Sequence, residues 1–329
     1  MRRREFVTLL LLSGAVIAGP RAATAQSPPK IFHLATLTPS FPLDENTPLG
    51  STLLKVLEQR GYTVGKNLAF EARGAAGQVS KLGEIVRGMK AGQVDVIVAV
   101  GFPAILACKV ANVPTVVAYG GVDPVATHLI DSLARPGGNI TGISDNATTL
   151  STKRLELIKQ AVPKLQRVAM LWNRNDLGMT QRYEASASAA QSMGVTVQAL
   201  GVREPDDFNG VFEAMDRDPP DAILMVSDAL TNLNRKRVFD YADVHHIPAL
   251  YEYDFLVHNG GLMSYGPDLK KSMERAAELV ARIFNGARPA DLPFEEPTHY
   301  LLVINLKTAK ATGIDLPPNF VALADEVIE

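Results

Sequence analysis

The chain has 329 residues, of which 47% are hydrophobic and 21% are charged, and its formal net charge is −2. This composition is typical of a globular protein, and the length favours two domains over one. A chain of this length buries enough surface on folding to need no disulfide, and its single cysteine can form none internally.

The amino terminus has the three parts of a secretory signal peptide. Residues 2–4 are arginines, residues 6–19 are mostly apolar, and Ala23-Thr24-Ala25 ends in small residues. Cleavage after Ala25 would leave Gln26 first and predicts a periplasmic protein. Arg3-Arg4-Glu5-Phe6 also fits a twin-arginine leader, so both export routes stay open. A retained membrane anchor is the alternative, but the apolar run is short and interrupted by glycine.

Cleavage would remove four Arg and one Glu, which leaves 29 basic and 34 acidic residues and a formal net charge of −5. A mildly acidic exported protein is a poor candidate for binding nucleic acid or an anionic membrane surface. The lone Cys108 follows an apolar run. Because free cysteines are among the most buried residues, we expect a packed side chain there and not a nucleophile.

From residue 31 onwards, short apolar runs alternate with helical patterns. The strands predicted in the first half are 31–37, 67–73, 94–100, 114–119 and 137–144. The first helix carries leucines at 49, 53, 54 and 57 and stops at Gly61. This alternation predicts a parallel sheet with helices on both faces, and the nearly unbroken apolar runs fit strands that are buried on both sides.

The same order of elements restarts at residue 167. In the second half, 167–173 corresponds to 31–37, 194–197 to 61–64, Asp221 to Asp95, 246–249 to 112–115, and 260–264 to 137–141. The offsets lie between 123 and 136 residues and drift only by loop lengths. Weak repetition in any α/β chain is the alternative, but five matches in one order favour a duplication into two Rossmann-like lobes.

Ligands of open parallel sheets bind beyond the carboxyl ends of the strands. The side chains that follow the predicted strands are therefore the candidate binding residues. In the first lobe they are Thr38, Ser40, Phe41, Gly101, Phe102, Tyr119, Gly120 and Asp123. In the second lobe they are Trp172, Asn173, Asn175, Ser227, Asp228, Tyr251, Tyr253 and Ser264, with Glu252 and Asp254 at the same strand end.

Aromatic walls with a few polar groups suit a small-molecule pocket. Backbone N–H groups after Thr38 and Gly101 could hold a carboxylate, and Asp123 or Asp228 could hold an ammonium group. The structural alternative is core packing for each aromatic residue and a turn or helix cap for Asp123.

Motifs for catalysis and cofactor binding are missing from the sequence. No G-x-G-x-x-G follows the first strand, and neither a phosphate-binding G-x-x-x-x-G-K-[ST] loop nor a G-x-S-x-G elbow occurs. The six His have no metal-ligand spacing. Acidic pairs such as Asp206-Asp207 and Glu295-Glu296 lie in loop-like stretches. We therefore expect no catalytic residues, no metal and no cofactor.

Several segments carry a resemblance to a known family. They are 94–101, 113–144, 153–163, 167–173, 260–269 and 304–318, with the stretches SLARPGGNITG and SYGPDL the most specific. The chain resembles the ABC-transporter substrate-binding proteins whose studied members include tryptophan- and tyrosine-binding proteins. The resemblance implies a type I periplasmic-binding fold with two lobes, three crossing segments and hinged closure. The sequence departs from its relatives at 38–44 and 251–254, where ligand contacts are expected.

The repeat also predicts where the lobes exchange chain. The helix at 151–162 corresponds to the one at 267–285, so each should pack on the opposite lobe. We expect a first lobe of 27–146 plus 265–290 and a second of 147–264 plus 291–329.

The expected function is the solute-binding component of an ABC uptake transporter. Its partners would be a small-molecule solute, an ABC permease and the ATPase of that permease, with the mature chain a monomer outside the membrane. An aromatic amino acid or another small carboxylate is the expected ligand. A secreted two-lobed α/β enzyme and a ligand-sensing receptor subunit are the alternatives.

Overall fold

The structure is a computed structural model that describes residues 30–120 and 123–329. The predicted signal peptide lies outside the described residues. Residues 31–329 form one compact unit. Within the described part of the chain, no helix has both the length and the apolar character that a membrane crossing requires.

Twelve strands and twelve α-helices are assigned within the described residues. The strands are β1 (Phe32–Thr38), β2 (Leu68–Gly74), β3 (Val96–Val100), β4 (Thr115–Tyr119), β5 (Ile140–Gly142), β6 (Arg167–Asn173), β7 (Thr196–Val202), β8 (Ala222–Met225), β9 (Ala249–Tyr251), β10 (Met263–Pro267), β11 (Tyr300–Asn305) and β12 (Glu326–Ile328). The helices are α1 (Pro48–Gln59), α2 (Leu82–Ala91), α3 (Phe102–Ala111), α4 (Ala147–Ala161), α5 (Leu177–Ser192), α6 (Asp207–Arg217), α7 (Ala229–Leu233), α8 (Arg235–Val244), α9 (Asp254–His258), α10 (Leu269–Phe284), α11 (Leu306–Thr312) and α12 (Pro318–Val321).

The strands form two sheets with the same internal order. The first sheet runs β2-β1-β3-β4-β5, and all its strand pairs are parallel. The second runs β12-β11-β10-β9-β8-β6-β7, in which only the β10–β11 pair is antiparallel. Its segment β7-β6-β8-β9-β10 repeats the order of the first sheet. The prediction of two Rossmann-like lobes is thereby confirmed.

The duplication extends to individual hydrogen bonds at the amino ends of the sheets. In the first lobe, His33 N donates to Asp95 Oδ2 over 2.8 Å, and Asp95 N donates back to His33 O over 2.8 Å. In the second lobe, Arg167 N donates to Asp221 Oδ2 over 2.8 Å, and Asp221 N donates to Arg167 O over 3.0 Å. Each aspartate thus ties the start of the third strand of its lobe to the first strand.

Each sheet is buried on both faces because alternate side chains of a strand point to opposite sides. In β3, Val96 and Val98 pack towards α1 and α10, whereas Ile97 and Ala99 pack towards α2 and α3. The second lobe has the same two-layer core, with α4 and α5 on one face and α6 and α8 on the other. Cys108 lies in the first-lobe core, where burial raises the pKa of its thiol to about 12.

Two helices exchange lobes. The helix α4 follows β5 but packs against α5, and α10 follows β10 but packs against α1. The crossing points differ from those expected at 265 and 290. Residues 263–267 stay in the second sheet because β10 pairs with β9 and β11, and Glu295 still belongs to the first lobe because its N–H donates to Gly142 O over 2.8 Å.

Candidate functional site

The loops at the carboxyl ends of the two sheets meet each other. The rings of Tyr119, which ends β4, and Tyr253, which follows β9, lie edge to face with centroids 5.8 Å apart. A Cβ on Gly77, which follows β2, would lie 3.0 Å from Leu233 Cδ1 in α7. The two carboxyl edges therefore face each other, at the place where open parallel sheets bind ligands.

The loop after β1 forms one part of the first-lobe wall. The Thr38 hydroxyl donates to Phe41 O over 2.7 Å and accepts from Ser40 N over 3.2 Å, so this buried threonine fixes the shape of the loop. Ala76 N donates to Ser40 O over 2.9 Å, which holds the loop against the end of β2. Phe41, in the same loop, is 63% exposed.

Two glycines let three first-lobe loops touch one another. Gly101 and Gly120 have φ values of 82° and 71°, a backbone region that favours glycine. A Cβ on Gly120 would lie 2.9 Å from Gly101 N, and a Cβ on Gly101 would lie 3.1 Å from Pro39 Cγ. Gly101 N donates to Tyr119 O over 3.2 Å. The loops after β1, β3 and β4 are therefore packed closely against one another.

Three residues predicted for the site have structural roles: two rings lie in the hydrophobic cores, and one carboxylate caps a turn. Phe102 and Tyr251 are 8% and 1% exposed, and their rings belong to the first-lobe and second-lobe cores. Tyr251 packs edge to face on Phe239 with ring centroids 5.1 Å apart. Asp123 caps its own turn by accepting from Val125 N and Ala126 N. Position after a strand does not show which face of the sheet a side chain takes, so the sequence did not predict that these two rings lie in the cores.

Polar side chains line the second-lobe wall after β6 and β8. Asn173 Nδ2 donates to Asp228 Oδ2 over 2.5 Å, and Asn175 N donates to Asn173 Oδ1 over 2.9 Å. Asp228 also caps α7 through its hydrogen bond from Thr231 N over 2.8 Å. Asp176 caps α5 by accepting from Gly178 N over 2.8 Å.

Burial raises the pKa of two carboxyl groups in this wall. Burial, together with the nearby charge of Asp228, raises the pKa of Asp176 to about 6. Burial also raises the pKa of Asp228, against the opposing effect of hydrogen bonds from Thr231 and Asn173. Two carboxyl groups whose negative charge is disfavoured form a favourable environment for a cationic group.

Buried polar atoms occur near the same strand ends. The rings of Trp172 and Tyr183 stack with centroids 3.8 Å apart and an interplanar angle of 5°. Trp172 Nε1, Ser227 Oγ and Ser264 Oγ are buried and have no hydrogen-bond partner among the described residues. These groups are therefore able to donate hydrogen bonds that the protein itself does not use.

A buried ionic cluster lies beside the wall. Arg182 in α5 donates from Nη1 to Glu252 Oε2 over 2.6 Å and from Nη2 to Asp145 Oδ2 over 2.7 Å. Arg154 in α4 donates from Nη1 to Glu252 Oε1 over 2.8 Å and from Nε to Tyr265 O over 2.7 Å. All four charged side chains are at most 6% exposed.

Sequence reasoning did not select Asp145, Arg154 or Arg182 for the site. Asp145 follows β5 closely, so the rule that chose the other strand ends would have found it. Arg182 shares the buried face of α5 with Met179 and Ser186, at helical spacing. An arginine on a helix face whose other residues are small or apolar is the signal that identifies it.

Comparisons with known proteins identify the family. Residues 49–328 match the family described as ABC transporter substrate binding protein. The tyrosine-binding protein of Clostridioides difficile (strain R20291) is 25% identical over 260 residues, which cover 78% of this chain and 74% of that relative.

Two solved structures share the fold. A conserved domain protein from Vibrio cholerae O1 biovar El Tor has 25% identity and a TM-score of 0.83. The ABC domain in complex with L-Trp from Streptococcus pneumonia has 23% identity and a TM-score of 0.80. Each comparison covers 91% of this chain and 100% of the other. With a type I periplasmic-binding fold and a family match over most of its length, this chain belongs to the ABC transporter substrate-binding protein family.

Proposed function

We propose that this protein is the solute receptor of an ABC uptake system and that it binds an amino acid with an aromatic side chain in the inter-lobe cleft. The observation that carries the proposal is the pair of buried carboxyl groups of Asp176 and Asp228, which follow β6 and β8 in the lobe whose Tyr253 ring contacts Tyr119 of the first lobe. The Clostridioides difficile and Streptococcus relatives, named for tyrosine and bound to L-Trp, support the choice of ligand.

The proposed roles follow from charge and geometry. Asp228 accepts hydrogen bonds from the ligand ammonium group, and Asn173 holds that carboxylate in place. The ligand carboxylate lies at the amino end of α3, a ten-residue helix whose dipole favours negative charge there. Tyr119 and Tyr253 offer ring surfaces for an aromatic side chain.

The proposed mechanism is hinge closure without covalent chemistry. A ligand that touches both walls binds the closed arrangement more tightly than the open one, and it shifts the equilibrium by that difference in affinity. In the periplasm, the loaded protein delivers its solute to an ABC permease, which is driven by its ATPase. A fusion of the leader to a reporter that is active only after export, with an Arg3→Lys, Arg4→Lys leader for comparison, tests the location and the route.

Thermal unfolding of residues 26–329 with a panel of ligands tests the binding proposal. Ligand at a hundredfold excess over Kd should stabilise the native protein by roughly 2.7 kcal/mol. We expect aromatic amino acids to raise Tm more than aliphatic ones. Mass spectrometry of the ligand released afterwards should show an unchanged compound. No shift with any amino acid or carboxylate, in folded protein freed of ligand by unfolding and refolding, contradicts the proposal, and a changed mass would favour an enzyme.

A further inference from the structure

The carboxylate of Asp145 contacts both lobes at once. Its Oδ1 atom accepts a hydrogen bond from Gly120 N over 2.9 Å, at the end of β4 in the first lobe. Its Oδ2 atom accepts from Arg182 Nη2 over 2.7 Å and from Tyr253 Oη over 2.9 Å, both in the second lobe. We call these contacts of Asp145 with Gly120, Arg182 and Tyr253 the Asp145 bridge.

Asp145 itself lies in a segment where the chain crosses between the lobes. The preceding residues 143 and 144 pair with Glu295, in the crossing segment between α10 and β11, since Ser144 N donates to Glu295 O over 2.7 Å. The helix α4 begins two residues later and packs on the second lobe. Rotation about the crossings must separate Gly120 from Arg182 and Tyr253, so opening breaks at least one side of the Asp145 bridge.

The second-lobe side of the bridge is fixed in place. Glu252 holds Arg182 through a second hydrogen bond of 2.6 Å, and Arg154 holds Glu252 over 2.8 Å. Ser227 N also donates to Glu252 Oε2 over 2.9 Å. Arg182 therefore presents a preoriented donor to Asp145, and little side-chain entropy is lost when the bridge forms.

The bridge is almost completely buried. Asp145, Arg182 and Tyr253 are 2%, 2% and 3% exposed. Hydrogen bonds that involve a buried charge are stronger than neutral ones. Because each partner belongs to the protein, this stabilisation of the closed arrangement is independent of any solute.

We infer that Asp145 is a positioning residue that sets the equilibrium between the open and closed lobes. The bridge gives the protein a closed population of its own. A solute then binds a cleft that is partly assembled, and its apparent Kd depends on that population. This role goes beyond the proposed function and holds whichever solute the cleft takes.

Distance measurements between the lobes test this role. Spin labels at Lys81→Cys and Glu204→Cys would lie at corresponding places on the two lobes, after β2 and after β7, where both native residues are exposed. The native Cys108 is buried and stays unlabelled. Double electron–electron resonance on protein freed of solute then reports the fractions of short and long distances.

The Tyr253→Phe change removes one hydrogen bond of the bridge and keeps the ring. We expect it to raise the ratio of open to closed protein by roughly tenfold, and Asp145→Asn to raise it further, because hydrogen bonds to charged groups carry energies of that order. Tyr251→Phe is the matched control, since it removes the same hydroxyl from a ring that ends β9 and lies in the second-lobe core, and the distances should stay as in the parent.

The outcomes separate this role from a general effect on folding. A longer distance with an unchanged circular dichroism spectrum supports it. If Asp145→Asn does not fold, the distances measured on Tyr253→Phe test the inference alone. Distances of folded Tyr253→Phe that match those of the parent and of Tyr251→Phe overturn the inference.

Discussion

Asn173, the last residue of β6, donates a 2.5 Å hydrogen bond to Asp228 and so joins the end of β6 to the loop that follows β8. The bond leaves Asp228 Oδ1 to cap α7 through Thr231. One carboxylate therefore has both a structural and a proposed ligand-binding role. The two can be separated by substitution, because asparagine caps a helix about as well as aspartate does.

Asp228→Asn should remove the charge and keep the cap. We expect the affinity for an amino acid to fall by at least about tenfold, since a charged hydrogen bond to the ammonium group is lost. Isothermal titration calorimetry measures the change. Asp206→Asn, at an exposed position before α6, should bind like the parent. Equal affinity of both variants would remove Asp228 from the site.

Asp176 should make stability depend on pH. Its folded pKa of about 6 lies above the ordinary value of 3.8, so the folded state retains a proton that the unfolded chain loses between these values. The contribution of Asp176 to the stability of the parent should therefore fall as pH rises from about 4 to 6. Asp176→Asn cannot ionise and keeps the cap on α5. Its free energy of unfolding should therefore rise relative to that of the parent over this window, by up to about 3 kcal/mol.

Urea unfolding of the parent and Asp176→Asn between pH 4 and pH 7 measures this difference. It should grow with pH and then level off above about 6. A difference that is constant over the whole range would show that Asp176 does not titrate there.

Arg182→Met should be strongly destabilising. It leaves the carboxylates of Asp145 and Glu252 buried without their shared cation, and removal of one member of a buried ion pair costs about 3–5 kcal/mol. Arg217→Met is the control, because Arg217 is 71% exposed and its contact with Glu213 is 3.9 Å long. Surface pairs of this kind contribute about 0–1 kcal/mol. Urea midpoints that shift equally in both variants would contradict the buried cluster.

Gly120→Ala should lower the free energy of unfolding by more than the strain of a positive φ accounts for. The new Cβ would lie 2.9 Å from Gly101 N, in addition to the strain of an alanine at φ 71°. Gly194→Ala provides the comparison, since Gly194 has φ 67° and open space around its Cβ position. We expect both variants to lose about 1–3 kcal/mol from backbone strain and Gly120→Ala to lose more. A larger loss for Gly194→Ala would show that the first-lobe loops can move apart.

The amino-acid sequence by itself determined the elements and their repetition. Apolar runs such as 94–100 predict buried strands from local pattern alone, and Asp95 and Asp221 mark the same position in both halves. The strand order was thereby confirmed as a duplicated one. Positions such as Asn173, Asp228 and Tyr119 follow from the rule that ligands bind beyond strand ends, which needs only the end of each strand.

Only the tertiary structure decided which side chains meet. Arg182 reaches Asp145 across 37 residues of sequence, and Arg154 reaches Glu252 across 98. No local pattern encodes such pairs, because they depend on how the lobes exchange α4 and α10. Likewise, the rings of Phe102 and Tyr251 lie in the cores of the two lobes, since the face that a side chain takes at a strand end depends on the helices packed there.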